Sequence, residues 1–172
     1  AFMAKSKDAV RLADSLVAVA NGAGLKTTAL ITDMSEPLAS AAGNAVEVQN
    51  AVDFLTGTRD KRLEEVTLAL AAEMLASAGV VKSVREGLSD AADALNSGRA
   101  ADLFARMVSA LGGPKDFVEK SQHYLPKAPI VMDVKAGSAG FVTNIETRNI
   151  GLAVVALGGG RTRPQDPVDH SV

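Results

Sequence analysis

A chain of 172 residues with 47% hydrophobic and 22% charged residues has the composition of a folded globular protein and the length for one well-packed domain, which excludes a disordered chain, a collagen-like repeat and a coiled-coil rod. Eighteen basic against twenty acidic residues leave a formal net charge of -2, so no global positive field holds a polyphosphate backbone, which argues against nucleic acid as a partner. The absence of cysteine excludes a disulfide framework, a thiolate zinc site and a cysteine nucleophile, and fits a reducing compartment.

No apolar run approaches the roughly 18 to 20 residues that span a bilayer, and the N-terminus lacks the pattern of a signal peptide, so a cytoplasmic protein without a membrane partner is expected. Thirty alanines and only 3% aromatic residues imply close packing of helices on a sheet and few platforms for a stacked base. An apolar start, Ala1-Phe2-Met3, and an end at Val168–Val172 where an extended segment begins predict a piece of a longer polypeptide, truncated at both ends.

In chain order, Ser6 is expected to cap a helix from about Lys7 to Ala20 whose apolar stripe is Val10, Ala13, Leu16, Val17 and Ala20, with Asn21-Gly22 as its stop. The β-branched and aliphatic run Leu25–Thr32 reads as a buried strand, so helix, glycine turn and strand form the back half of a βαβ unit. Pro37 keeps the loop from Asp33 to Ala42 out of a helix; Asn44 with Glu47 then opens a capping-box-like helix reaching Leu55. Leu63–Ala78 is apolar almost all round and predicts the most buried helix, followed by helices over Ser83–Asn96 and Arg99–Leu111, each closed by glycine. Pro126 and Pro129 mark a boundary near residues 124 to 129. Beyond it Ile130–Val134 and Phe141–Thr143 read as strands and Thr147–Leu157 as a helix. The fold class expected is α/β: a helix-rich mixed sheet over residues 1–124, then a smaller α+β sub-domain over residues 125–172.

Candidate sites are few. Gly158-Gly159-Gly160-Arg161-Thr162-Arg163 has the composition of an anion loop, but it follows a helix instead of feeding a helix N-terminus, which favours a structural turn. Asp33 ends a predicted strand, where α/β proteins place functional side chains, and a turn-forming role competes with that reading. His123 and His170 lack partners at metal-ligand or general-base spacing, and Glu64-Glu65 complements a helix N-terminus. No complete chemical constellation is present.

The run Ala20–Met34, then Pro37-Leu38, Ala42–Val48, Phe104–Val108, Gly113–Val118, Tyr124–Pro126 and Gly151–Arg161 closely resembles, in order and spacing, the thymidine phosphorylase branch of the pyrimidine-nucleoside phosphorylase family. The resemblance implies cleavage of thymidine or deoxyuridine by inorganic phosphate, with no other cofactor, to the free base and 2-deoxyribose 1-phosphate, in a homodimeric intact enzyme. It also implies that the lysine, serine and arginine that stabilise the departing base, and the phosphate loop, precede Ala1, so that no catalytic residue lies in this chain and the chain alone is inactive. Asp133–Phe141 imitates the family's Asp-x-Lys-x-Gly-Ser-Gly segment in letters, but by order it aligns with a C-terminal turn, and Lys135 is not expected to be catalytic.

Two partial contributions follow from the resemblance. Leu16 takes the position of an apolar wall of the pyrimidine pocket, with core packing on the same helical stripe as the competing reading. A monovalent cation held in the family by loop carbonyls and an acidic side chain maps to Leu38, Ala41 and Asn50; the neutral Asn50 removes a charge there, which argues against cation binding. Two other readings stay open: a non-catalytic interaction module, and part of a phosphorylase that also accepts uridine.

Overall fold

Helix-forming stretches closed by glycines dictate the architecture: a computed structural model, describing Met3 and residues 5–172, contains seven helices among those residues. They are α1 (Ser6–Gly22), α2 (Ala45–Thr56), α3 (Lys61–Ser77), α4 (Val84–Asn96), α5 (Arg99–Ala110), α6 (Ser121–Tyr124) and α7 (Thr147–Ala156). Ala1 and Phe2 of the apolar start lie outside the described residues.

α1 forms on the expected stripe but runs to Gly22, and Lys5, not Ser6, occupies its cap, without a side-chain bond. Asn21 sews the following chain back onto the helix. Its Nδ2 donates to the Val17 and Thr27 carbonyls at 2.8 and 3.0 Å, and its Oδ1 accepts from the Thr27 amide at 3.1 Å.

The mixed sheet is not shown: Leu25–Thr32, Ile130–Val134 and Phe141–Thr143 are extended, but no strand forms among the described residues. Extended backbone becomes a strand only when a neighbour about 4.8 Å away takes its N–H and C=O groups, and no ladder joins these three segments. Their apolar side chains consequently stand in solvent, Val134 at 96% and Phe141 at 97% exposure.

The core gathers Ala45, Val52 and Phe54 of α2, Ala72 of α3 and Leu95 of α4, with Val81 from the α3–α4 connection and Phe117 from the segment after α5. α3 is not the most buried helix expected: Ala72 is its one buried residue, while Leu70 and Met74 are exposed. The reason is a close backbone approach along a single face. A Cβ on Gly87 of α4 would lie 2.8 Å from the Ala72 carbonyl oxygen, so α3 and α4 meet at Ala72 and Gly87 while the opposite side of α3 stays uncovered. Ser83 caps α4, its Oγ accepting from the Glu86 amide at 3.2 Å while Glu86 Oε2 accepts from the Lys82 amide at 2.8 Å.

Asn44 departs from its expected role. Its side chain leaves the α2 N-terminus uncapped and donates to the carbonyls of Gly159 and Asp169 at 2.8 and 3.0 Å. The backbone amides of Asn44 and Ala45 donate to the Val172 and His170 carbonyls, so the segment after α7 caps α2 in its place.

Candidate functional site

Residues three and four apart on α1 bring Leu12, Ala13, Leu16 and Val17 to one side of the helix, and the extended chain over residues 27–35 runs beside it. Between them lies a groove of about 1210 Å³, with Thr147 and Arg148 from the first turn of α7 also on its wall. Leu16 is 59% exposed and lines this groove, so its side chain is not packed in a core. The opposing wall is mixed, with Thr27, Thr28, Thr32 and Asp33 interleaved with Ala29, Ile31 and Met34. A largely apolar groove with a few hydroxyls on one side suits a flat heterocycle carrying carbonyl and N–H groups at its edge.

Asp33 marks one end of the groove. Its carboxylate accepts from the Ser35 amide at 2.8 Å; the Ser35 hydroxyl and amide hold its pKa below the usual carboxylate value, and the nearby Arg62 guanidinium adds to the effect. The turn-forming reading of Asp33 therefore holds.

A second cavity of about 400 Å³ adjoins it, lined by residues 36–42 with Asp60, Arg62, Ile145 and Ile150. Leu38 and Ala41 stand on its wall; Asn50 does not, and reaches the loop only through its Nδ2, 3.3 Å from the Ser40 hydroxyl. Arg62 was not singled out by the sequence. Its guanidinium donates to the carbonyls of Asp33, Glu36 and Pro37, at 3.4 Å to Glu36 and 3.1 Å to Pro37, and it pairs with the Glu36 carboxylate at 3.3 Å. A signal existed. Arg62 is the second residue of α3, where the positive end of the helix disfavours a cation, so an arginine there needs a partner elsewhere. Arg148, on the groove wall at the start of α7, carries the same signal.

The remaining candidates do not converge. The Gly158 and Gly159 amides donate to the Val155 and Val154 carbonyls, and the Arg163 guanidinium is taken by Asp166 at 2.8 Å, so the glycine-rich run is a structural turn. His123 stacks edge-on against Tyr124 with ring centroids 5.0 Å apart, and the His170 carbonyl serves the α2 N-terminus. Lys135 is exposed on the unpaired extended segment. Glu64 pairs with Arg59 at 3.6 Å. Among the described residues no three His, Cys, Asp or Glu side chains gather to hold a metal ion, and no helix is long and apolar enough to cross a membrane.

Comparison with known proteins gives these features a context. Residues 141–172 match the pyrimidine nucleoside phosphorylase C-terminal domain. The chain is 67% identical over 173 aligned residues to the thymidine phosphorylase of Mesorhizobium japonicum, covering all of this chain and 39% of that protein. It is 53% identical to the thymidine phosphorylases of Agrobacterium fabrum and Sinorhizobium medicae, over 100% and 99% of this chain and 40% and 39% of theirs. The chain thus spans about two fifths of the length of the curated relatives it matches. Residues 1–101, more than half of the chain, match the α/β domain of the glycosyl transferase family, and the chain belongs to that family.

Proposed function

We propose that the polypeptide carrying this chain is a thymidine phosphorylase, a pentosyltransferase that cleaves thymidine or deoxyuridine with inorganic phosphate to the free pyrimidine and 2-deoxyribose 1-phosphate. The observation that carries the reading is the 67% identity to a thymidine phosphorylase along the whole of this chain. In this reading the groove beside α1 receives the base. Leu16 supplies one apolar wall and the threonines of residues 27–32 face the heteroatoms at its edge. Holding the base in one orientation lowers the entropic cost of bringing phosphate to the anomeric carbon, and charge stabilisation on the departing base falls to donors outside this chain. The extended segments at residues 25–32, 130–134 and 141–143 are strands awaiting partners from the rest of the polypeptide, which completes the mixed sheet. Residues 125–172 begin a second sub-domain, and the intact enzyme is a cytoplasmic homodimer.

Thymine release from thymidine, with and without phosphate, tests the activity on the longest natural polypeptide carrying residues 1–172. Phosphate-dependent release is expected; its absence would remove the reading. Leu16→Ala, which strips about one aliphatic side chain of contact from the base, is expected to raise KM for thymidine about tenfold with kcat little changed. An unchanged KM would return Leu16 to a purely structural role. The isolated 172-residue chain is expected to release no thymine, and competition between uridine and thymidine on the full polypeptide sets its breadth.

A further inference from the structure

We propose that the loop from Asp33 to Ala42 is organised by the guanidinium of Arg62 in place of a bound monovalent cation, so that its order does not depend on potassium or sodium. A cation orders such a loop by drawing carbonyl oxygens from successive turns onto one positive centre. Here three carbonyls, of Asp33, Glu36 and Pro37, already converge on Arg62, whose planar fork carries five donors and satisfies several acceptors without dehydrating an ion. The side chain is only 25% exposed, and its own amide is held by the Asp60 carboxylate at 2.9 Å. The arginine is thereby fixed at both ends.

The polar groups around it are largely committed to other partners. Asn50, at the position where an acidic ligand is needed, is neutral and turns an N–H donor toward Ser40. The carboxylates bordering the loop already accept hydrogen bonds: Asp33 from the Ser35 amide at 2.8 Å, Glu47 from the Gly43 amide at 3.0 Å, and Asp60 from the Arg62 and Leu63 amides at the start of α3, while Glu36 pairs with Arg62 at 3.3 Å. An ion placed by Leu38 and Ala41 meets the Arg62 guanidinium in the same 400 Å³ cavity, where Glu36 is already paired with that guanidinium and the Glu36 and Pro37 carbonyls already accept from it. Leu38, Ala41 and Asn50 therefore do not fit a monovalent cation, and Arg62 acts as a positioning residue for the loop.

The test uses the longest natural polypeptide carrying this chain, exchanged into tetramethylammonium chloride and compared with potassium chloride or sodium chloride at equal ionic strength. Thermal midpoint and amide hydrogen exchange over residues 34–43 are expected to be the same in all three salts. A saturable rise in the midpoint, or slower loop exchange in potassium or sodium, would overturn the proposal. Arg62→Ala is expected to speed exchange of the loop amides about tenfold or more while the amides of α4 and α5 change little, with Arg62→Lys intermediate because one ammonium replaces a fork. Loop exchange unchanged in Arg62→Ala would equally overturn it. Should that variant fail to fold, the salt comparison on the unaltered protein decides alone.

Discussion

Asp116 shows how a surface residue acquires a pH signature. Its carboxylate receives the Lys120 ammonium at 2.8 Å and the Tyr124 hydroxyl at 2.6 Å, which together hold its pKa at about 2 against an ordinary 3.8. The folded value is the lower one, so ionised Asp116 favours the fold above pH 3.8, and that contribution disappears as pH falls toward 2. Lys120 and Tyr124 are shifted upward, chiefly by their hydrogen bonds to Asp116. Their share is present below their ordinary values of 10.5 and 10.0 and is lost only as pH rises through the higher folded values. Asp116→Asn is expected to lower the urea midpoint at neutral pH and to leave it nearly unchanged near pH 2, so that the two stability curves converge in acid. Parallel curves would show that the cluster contributes nothing. Solvent exposure of all three groups keeps the effect small.

Between elements, the α3–α4 contact depends on an absent side chain. The Cβ of an alanine at position 87 would meet the Ala72 carbonyl oxygen at 2.8 Å and its Cα at 3.1 Å, and backbone cannot swing aside as a side-chain tip can. Gly87→Ala gains up to about 1 kcal/mol of helix propensity but forces the two helices apart at a cost of about 1–3 kcal/mol. A net fall in thermal stability is expected. Gly151, inside α7 with nothing within 4 Å of its would-be Cβ, is the control of opposite sign, where alanine should raise stability by up to about 1 kcal/mol. Calorimetric melting of both variants checks the pair, and stabilisation by Gly87→Ala would mean that the contact is looser than 2.8 Å implies.

At the scale of the whole molecule, Asn44 joins the start of α2 to chain more than a hundred residues later. Its amide donates to Gly159 and Asp169, and the adjoining Gly43 leaves no space for a Cβ, which would lie 2.7 Å from the Val172 backbone. Asn44→Asp preserves size but removes both donors and sets a carboxylate against two carbonyls, with an expected loss of about 1–3 kcal/mol. Hydrogen exchange should accelerate across residues 158–172 while the α3–α4 pair keeps its protection. Uniform acceleration across the chain would show that Asn44 holds the general fold and not this junction.

Much of this was legible along the chain because it is local. Apolar periodicity and glycine stops placed α1 to α5 and α7 to within a few residues, and the ordered motifs from Ala20 to Arg161 named the family. Each of those signals depends on neighbours a few residues apart, where helical hydrogen bonds and caps form. Asn44 reads as a local cap and Leu63–Ala78 as the most buried helix, and both differ in the structure because the outcome depends on what lies across from them, while Leu25–Thr32, read as a strand, is extended without a partner among the described residues. Arg62 passed as an ordinary helix-surface charge, although three carbonyls meet on it. Burial, strand pairing and charge convergence are relations between distant segments, so no window of sequence contains them. Folding brought Arg62 onto the Asp33–Ala42 loop and Gly159 onto Asn44.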